Sequence, residues 1–102
     1  MLLMTLISTA LTVAQPAPAP ASAGDALARL TQPREVRQVF DGRNWACDGD
    51  GACVGRGAGG AQPLMRECRR FVARFGPVSA FGRGDQRLTA DELAQCNTAA
   101  AR

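Results

Sequence analysis

A small α+β domain held together by disulfide bonds is the fold class this sequence predicts, in the order β-β-β-α-β-α over residues 34–98. Three observations predict it. Short β-compatible runs, separated by Gly-rich turn residues, fill positions 35–54. An apolar stripe of helical period runs from position 64 to 75. Four cysteines, an even number, all lie after position 46 of a 102-residue chain, which reads as a disulfide framework.

The elements follow in order. Residues 35–40, Glu-Val-Arg-Gln-Val-Phe, are compatible with a strand, and Asp41-Gly42 is a strong hairpin dipeptide. Residues 43–47 read as a second strand, with Trp45 and Cys47 on one face because strand side chains alternate. Asp48-Gly49-Asp50-Gly51 suits a turn, and residues 52–54 return as a third strand. Residues 55–62 hold four glycines and are expected to be mobile. Pro63 suits the first helical position, where its missing N–H costs nothing. Leu64, Cys68, Phe71, Val72 and Phe75 then fall on one helix face, while Arg66, Arg69, Arg70 and Arg74 occupy the others. Gly76 and Pro77 stop the helix, Gly as a left-handed cap. Residues 78–81 are a short strand, followed by a polar turn over 82–87. Thr89 and Glu92 form a capping box for a last helix, with Leu88 and Leu93 placed as its hydrophobic staple. The tail at 99–102 is expected to fray.

The first third of the chain has a different composition. Residues 1–24 carry no charged side chain, and all twelve basic residues are arginines located from position 29 onward. Residues 2–13 are apolar apart from Thr5, Ser8, Thr9 and Thr12. That is the length of a signal-peptide core and short of the roughly 20 residues needed to span a bilayer. Ala21-Ser22-Ala23 supplies small residues for cleavage, giving a signal peptide over 1–23, with cleavage after Ala14 as the alternative. No basic residue precedes the apolar run, which departs from the usual pattern and leaves a retained N-terminal anchor as the competing reading. Residues 24–33 read as a disordered Pro/Ala-rich linker, with at most a fleeting helical turn at 26–30. A periplasmic or secreted location follows from the leader, and it agrees with the cysteines, because oxidising compartments keep disulfides.

The cysteines are separated by five, fourteen and twenty-seven residues, with no C-x-x-C and no His in the chain. Zinc and redox-active readings therefore fail on spacing. Four cysteines permit three pairings. Placement favours Cys47 with Cys53, across a hairpin, and Cys68 with Cys96, joining the buried stripes of two helices. In the chain-entropy account these bridges are worth about 2.3 and about 3.6 kcal/mol.

Asn44-Trp45-Ala46-Cys47, the loop at 48–51, Cys53, the helical Cys68, residues 76–81 and Glu92-Leu93-Ala94-Gln95-Cys96-Asn97 together resemble a family of short exported alphaproteobacterial proteins without an established function. The resemblance covers about residues 40–97. It implies a signal peptide and a cysteine-stapled domain, and it supplies no ligand or catalytic residue.

Chemistry-bearing motifs are few. Asp48-Gly49-Asp50-Gly51 imitates the start of a calcium loop but lacks the later ligands, and Phe81, Arg83 and Gln86 spoil the similar stretch that ends at Glu92. Arg83-Gly84-Asp85 is a turn composition before it is a recognition tripeptide. Trp45 reads as a core residue, with a binding role as the alternative. With no His and all cysteines bridged, an enzyme is disfavoured; a hydrolase relying on Asp48 and Asp50 is the least supported alternative. No cofactor is expected. The formal charge of +3 and the row Arg66, Arg70 and Arg74, with Arg69 beside it, make an anion-binding face the best candidate site. Its partner would be an envelope protein or an anionic envelope polymer. Nucleic acid is disfavoured by Glu67 beside the row and by the shortage of stacking aromatics.

Overall fold

The computed structural model describes residues 24–57 and 62–100. They form one six-stranded sheet with two helices, in the order β1 (Ala26–Leu30), β2 (Val36–Phe40), β3 (Arg43–Cys47), β4 (Ala52–Arg56), α1 (Leu64–Phe75), β5 (Val78–Arg83), β6 (Gln86–Arg87) and α2 (Ala90–Asn97). All pairings are antiparallel, and the spatial order is β2-β3-β4-β1-β5-β6. The α+β class is as expected, with two strands more than the expected order. The leader expected at 1–23 and the residues at 101–102 lie outside the described residues.

The largest correction concerns residues 24–33, which are not a linker. Residues 26–30 form β1, a central strand that pairs with β4 on one side and β5 on the other. Ala26, Ala28 and Leu30 point into the core, while Leu27 and Arg29 point outward. Ala-Leu-Ala-Arg-Leu contains no β-branched residue and favours helix in isolation. Burial between two partner strands overrides that preference, and the small alanines leave room for the aromatic residues above them. The domain therefore begins near Asp25 rather than at Arg34.

The β2–β3 hairpin turns on Asp41 and Gly42, whose φ angles of 53° and 80° are those of the two-residue turn that Asp-Gly favours. The β3–β4 hairpin places Cys47 opposite Cys53, and the two are bonded. Within this loop Asp48 Oδ1 accepts from the backbone N–H groups of Asp50 (2.9 Å) and Ala52 (3.1 Å). Strand β4 continues to Arg56, so Gly55 is ordered rather than mobile; residues 58–61 lie outside the described residues. Gly55 has a packing reason. The Trp45 indole lies so close that a Cβ there would stand 2.6 Å from Trp45 Cζ2.

Pro63 stands one position before α1, not within it, and its carbonyl accepts the first helical bond from Glu67 N–H. Gly76 ends the helix with φ 109° and ψ 174°. This is a glycine-favoured conformation, though not the left-handed helical one expected. The expected polar turn over 82–87 is a third hairpin: β5 runs on to Arg83 and pairs with β6. Thr89 and Glu92 make the capping box, at 3.2 and 2.9 Å. Cys96 of α2 is bonded to Cys68 of α1. The next residue, Asn97, clamps β5: its Oδ1 accepts from Val78 N–H and its Nδ2 donates to Val78 C=O, both at 2.8 Å. The tail does not fray at once. Ala99 and Ala100 continue as hydrogen-bonded turns packed on the core.

Both helices cover one face of the sheet. Trp45, Phe71, Phe75 and Phe81 form the centre of that layer, with Trp45 and Phe71 ring centroids 4.5 Å apart. Trp45 is thus a core residue.

Candidate anion-binding surfaces

Inside the covered face lies a charge cluster that sequence reasoning missed. Arg43 and Glu67 are each 2% exposed. Arg43 Nε donates to Glu67 Oε2 at 2.7 Å, and Arg43 Nη1 donates to the carbonyls of Gly24 (2.7 Å), Gly55 (3.2 Å) and Gly57 (2.7 Å). Arg83, entering from β5, donates from Nη1 to Glu67 Oε1 at 3.2 Å and from Nη2 to Gln62 C=O at 3.0 Å. Asp25 Oδ1 accepts from Gly57 N–H at 3.3 Å. Two guanidinium groups and two carboxylates are thereby matched donor to acceptor, as burial demands. Among the described residues no buried side-chain polar atom lacks a partner. The cluster fastens β1, β3, β4 and β5 to the first turn of α1 and offers no open valence for a ligand. Arg83-Gly84-Asp85 is accordingly a structural turn. Glu67 faces the core rather than the arginine row. Its spacing, three after Leu64 and four before Phe71, was the available signal.

The arginine row of α1 is largely committed to its own fold. Arg70 Nε pairs with Asp41 Oδ2 at 3.1 Å, and Gln62 Nε2 donates to the same oxygen at 2.8 Å. Burial pushes the Asp41 carboxyl up, but the hydrogen bonds from Gln62 and Arg70, with the charges of Arg70 and Arg66, hold it below its ordinary value. Arg69 Nη1 donates to Gln95 C=O (2.9 Å) and Thr98 Oγ1 (3.1 Å). It thereby supplies the C-terminal cation that α2 lacks in its own last turn. With the Gln38 amide turned to present its oxygen, Arg74 donates to it from Nε (3.2 Å) and Nη2 (2.7 Å). Arg66 makes no hydrogen bond among the described residues. The four do not form one open anion site: Arg69 turns to α2, Arg74 to Gln38 of β2, and Arg70 to Asp41, where the charge of Arg66 also acts.

The outward face of the sheet is different. Strand parity and register place Arg37, Ala46, Val54, Leu27, Gly82 and Arg87 in one row across all six strands. With strands about 4.8 Å apart, the terminal arginines stand about 24 Å from each other. Arg29 lies on the same face between Ala52 and Ala80, and Arg56 beside Asn44 and Val39. No strand contains an Asp or Glu. Arg29, Arg37 and Arg87 are exposed and make no hydrogen bond or ion pair among the described residues. Leu27 (38% exposed) and Val39 (72%), the two large hydrophobic residues left exposed among the described residues, are both here. Leu27, Val54, Leu88 and Leu93 line a groove of about 470 Å³, together with Arg29 and Arg87. The sequence could have revealed this face only with the β1 register in hand.

The Asp48 carboxylate is engaged by its own loop, and Asp50 is exposed. No three residues among His, Cys, Asp and Glu come together to hold a metal among the described residues, and no described helix is long and apolar enough to cross a membrane.

The model of a family of unknown function, DUF8200, matches residues 8–98. No curated protein and no solved structure matches the chain.

Proposed function

Because the chain belongs to DUF8200, a family of unknown function, we propose its role from its own surfaces: a non-catalytic binding module, exported to the periplasm or beyond, that takes an anionic partner on the outward face of its sheet. The observation that carries this reading is the outward row ending in Arg37 and Arg87, with Arg29 between, set on strands that hold no acidic residue. Arginine is the residue suited to phosphate, sulfate and carboxylate groups. Two disulfides are compatible with an extracellular or otherwise oxidising compartment, and the uncharged apolar start of the chain supports export.

The α1 row is the second reading, favoured by the exposed Arg66 beside an apolar depression formed with Met65 and Ala73. It is the weaker one, since Arg69, Arg70 and Arg74 already serve internal partners. Hydrolysis by Asp48 and Asp50 has less support still, because a loop-bound carboxylate is poorly placed to move a proton.

Retention on immobilised dextran sulfate separates these readings. The native protein should bind and elute with salt, as ionic contacts do. Arg29→Ser/Arg37→Ser/Arg87→Ser should release it at markedly lower salt, and Arg66→Ser/Arg70→Ser/Arg74→Ser should have little effect. The reverse ranking would move the site to α1, and no retention at all would end the anion reading.

A further inference from the structure

The outward face mixes cations with exposed hydrocarbon, and that mixture narrows the partner. We propose that this face docks on the surface of a bilayer containing anionic phospholipid, an inference that rests on the anionic-partner reading above. The central part of the row, Ala46, Val54 and Leu27, is apolar, and arginines stand at both ends. Val39 projects beside it with 72% of its surface exposed. A hydrophilic anionic polymer would satisfy the arginines and leave Leu27, Val39 and Val54 facing water or sugar hydroxyls. A phospholipid surface satisfies both sets: phosphates meet the guanidinium groups while the apolar side chains enter the headgroup–acyl boundary, the division of labour seen in interfacial helices. The groove beside Leu27, Val54, Leu88 and Leu93 gives an acyl segment an apolar recess next to Arg29 and Arg87.

Other occupants fit less well. A second copy of the same face would set arginine against arginine with no strand carboxylate to relieve it. Single-stranded nucleic acid would need stacking rings on this face, and the only Trp, Trp45, is buried on the opposite side. A sheet face with an apolar centre and cationic margins matches a fluid, negatively charged surface that can adapt to its twist.

The test is co-sedimentation of the full native chain with vesicles of phosphatidylcholine alone and of phosphatidylcholine mixed with phosphatidylglycerol. The comparison with neutral vesicles removes any contribution of the apolar residues 2–13, which require no lipid charge. Binding should be stronger with phosphatidylglycerol than with phosphatidylcholine alone, and the excess should weaken with salt. Arg29→Ser/Arg37→Ser/Arg87→Ser should reduce it on the order of a hundredfold, at about fivefold per arginine near an anionic surface. Val39→Ser, which leaves the charge unchanged, should also reduce it, which purely ionic adsorption does not predict, while the α1 triple variant should bind normally. Unchanged thermal midpoints would show that each variant is folded, as expected for exposed positions. Equal binding to both vesicle types, or an unaffected sheet variant, would overturn the proposal. Retention on dextran sulfate without vesicle binding would overturn it too, while leaving the anionic-partner reading intact. Failure in both assays would remove both.

Discussion

The two faces of the sheet use the same side chain for opposite purposes. On the covered face, Arg43 and Arg83 converge on one carboxylate, Glu67, and every remaining donor that the contacts define meets a backbone carbonyl. On the open face, Arg29, Arg37 and Arg87 meet no carboxylate within the described residues and stand among aliphatic side chains. The difference lies in what is packed above the strand. A guanidinium beneath a helix must be matched group for group, because leaving a buried charge unpaired costs far more than pairing it returns. One facing solvent carries no such constraint, so its placement is free to answer an external partner. In a chain whose basic residues are all arginines, composition alone cannot tell these roles apart; register can.

The contrast is sharpest for Glu67→Ala. Removing this carboxylate strands Arg43 in the interior, and urea unfolding should show a loss of about 3–5 kcal/mol. Arg29→Ser on the open face should stay within about 0.5 kcal/mol of the native protein. Similar losses for the two would mean that the cluster is not matched as described. A smaller step compares neighbours in β4. Gly55→Ala pushes a methyl group into the Trp45 ring and should cost about 1–3 kcal/mol by overpacking. Val54→Ala, one residue away and outward, should cost clearly less in the same titration.

The smallest effect expected is pH-dependent and sits at the edge between α1 and the hairpin. The folded Asp41 carboxyl titrates below its ordinary value of 3.8. Its folded state therefore favours the ionised form. The resulting stabilisation is complete above the ordinary carboxylate range and disappears as pH falls through the lowered folded value. Asp41→Asn should flatten that acid limb of the stability profile and leave neutral-pH chemistry of the open face alone. An unchanged acid limb would show that Arg70 and Gln62 do not favour the charged form.

What the sequence made legible was local chemistry. Asp41-Gly42 dictates a hairpin by its positive φ angles, Thr89 and Glu92 announce a helix start by reciprocal hydrogen bonds, and the α1 stripe follows from spacing. Cysteine pairing followed once those elements were placed. The unread parts are those decided by distant partners. Residues 26–30 are strand because β4 and β5 flank them, not because Ala and Leu prefer it. Glu67 occupies a core position that its spacing indicates, but its charge argued against burial until Arg43 and Arg83 were seen beside it. Asn97 gave no local hint that its amide would stand in for a strand partner at Val78. The arginine row of α1 was visible at once and its internal obligations to Asp41, Gln38 and α2 were not, whereas the open face was hidden because its central strand was.

The position of β1 has a consequence for assembly. Strands β4 and β5 are hydrogen-bonded into one sheet only through it, and both run antiparallel to it, so without residues 26–30 the sheet is two ribbons flanking an empty slot, joined only by the layer packed on one face. Any chain trimmed past that segment would expose two hydrogen-bonding edges facing one another, an acceptor for the first matching strand it meets, whether a supplied peptide or the same segment of a neighbouring copy.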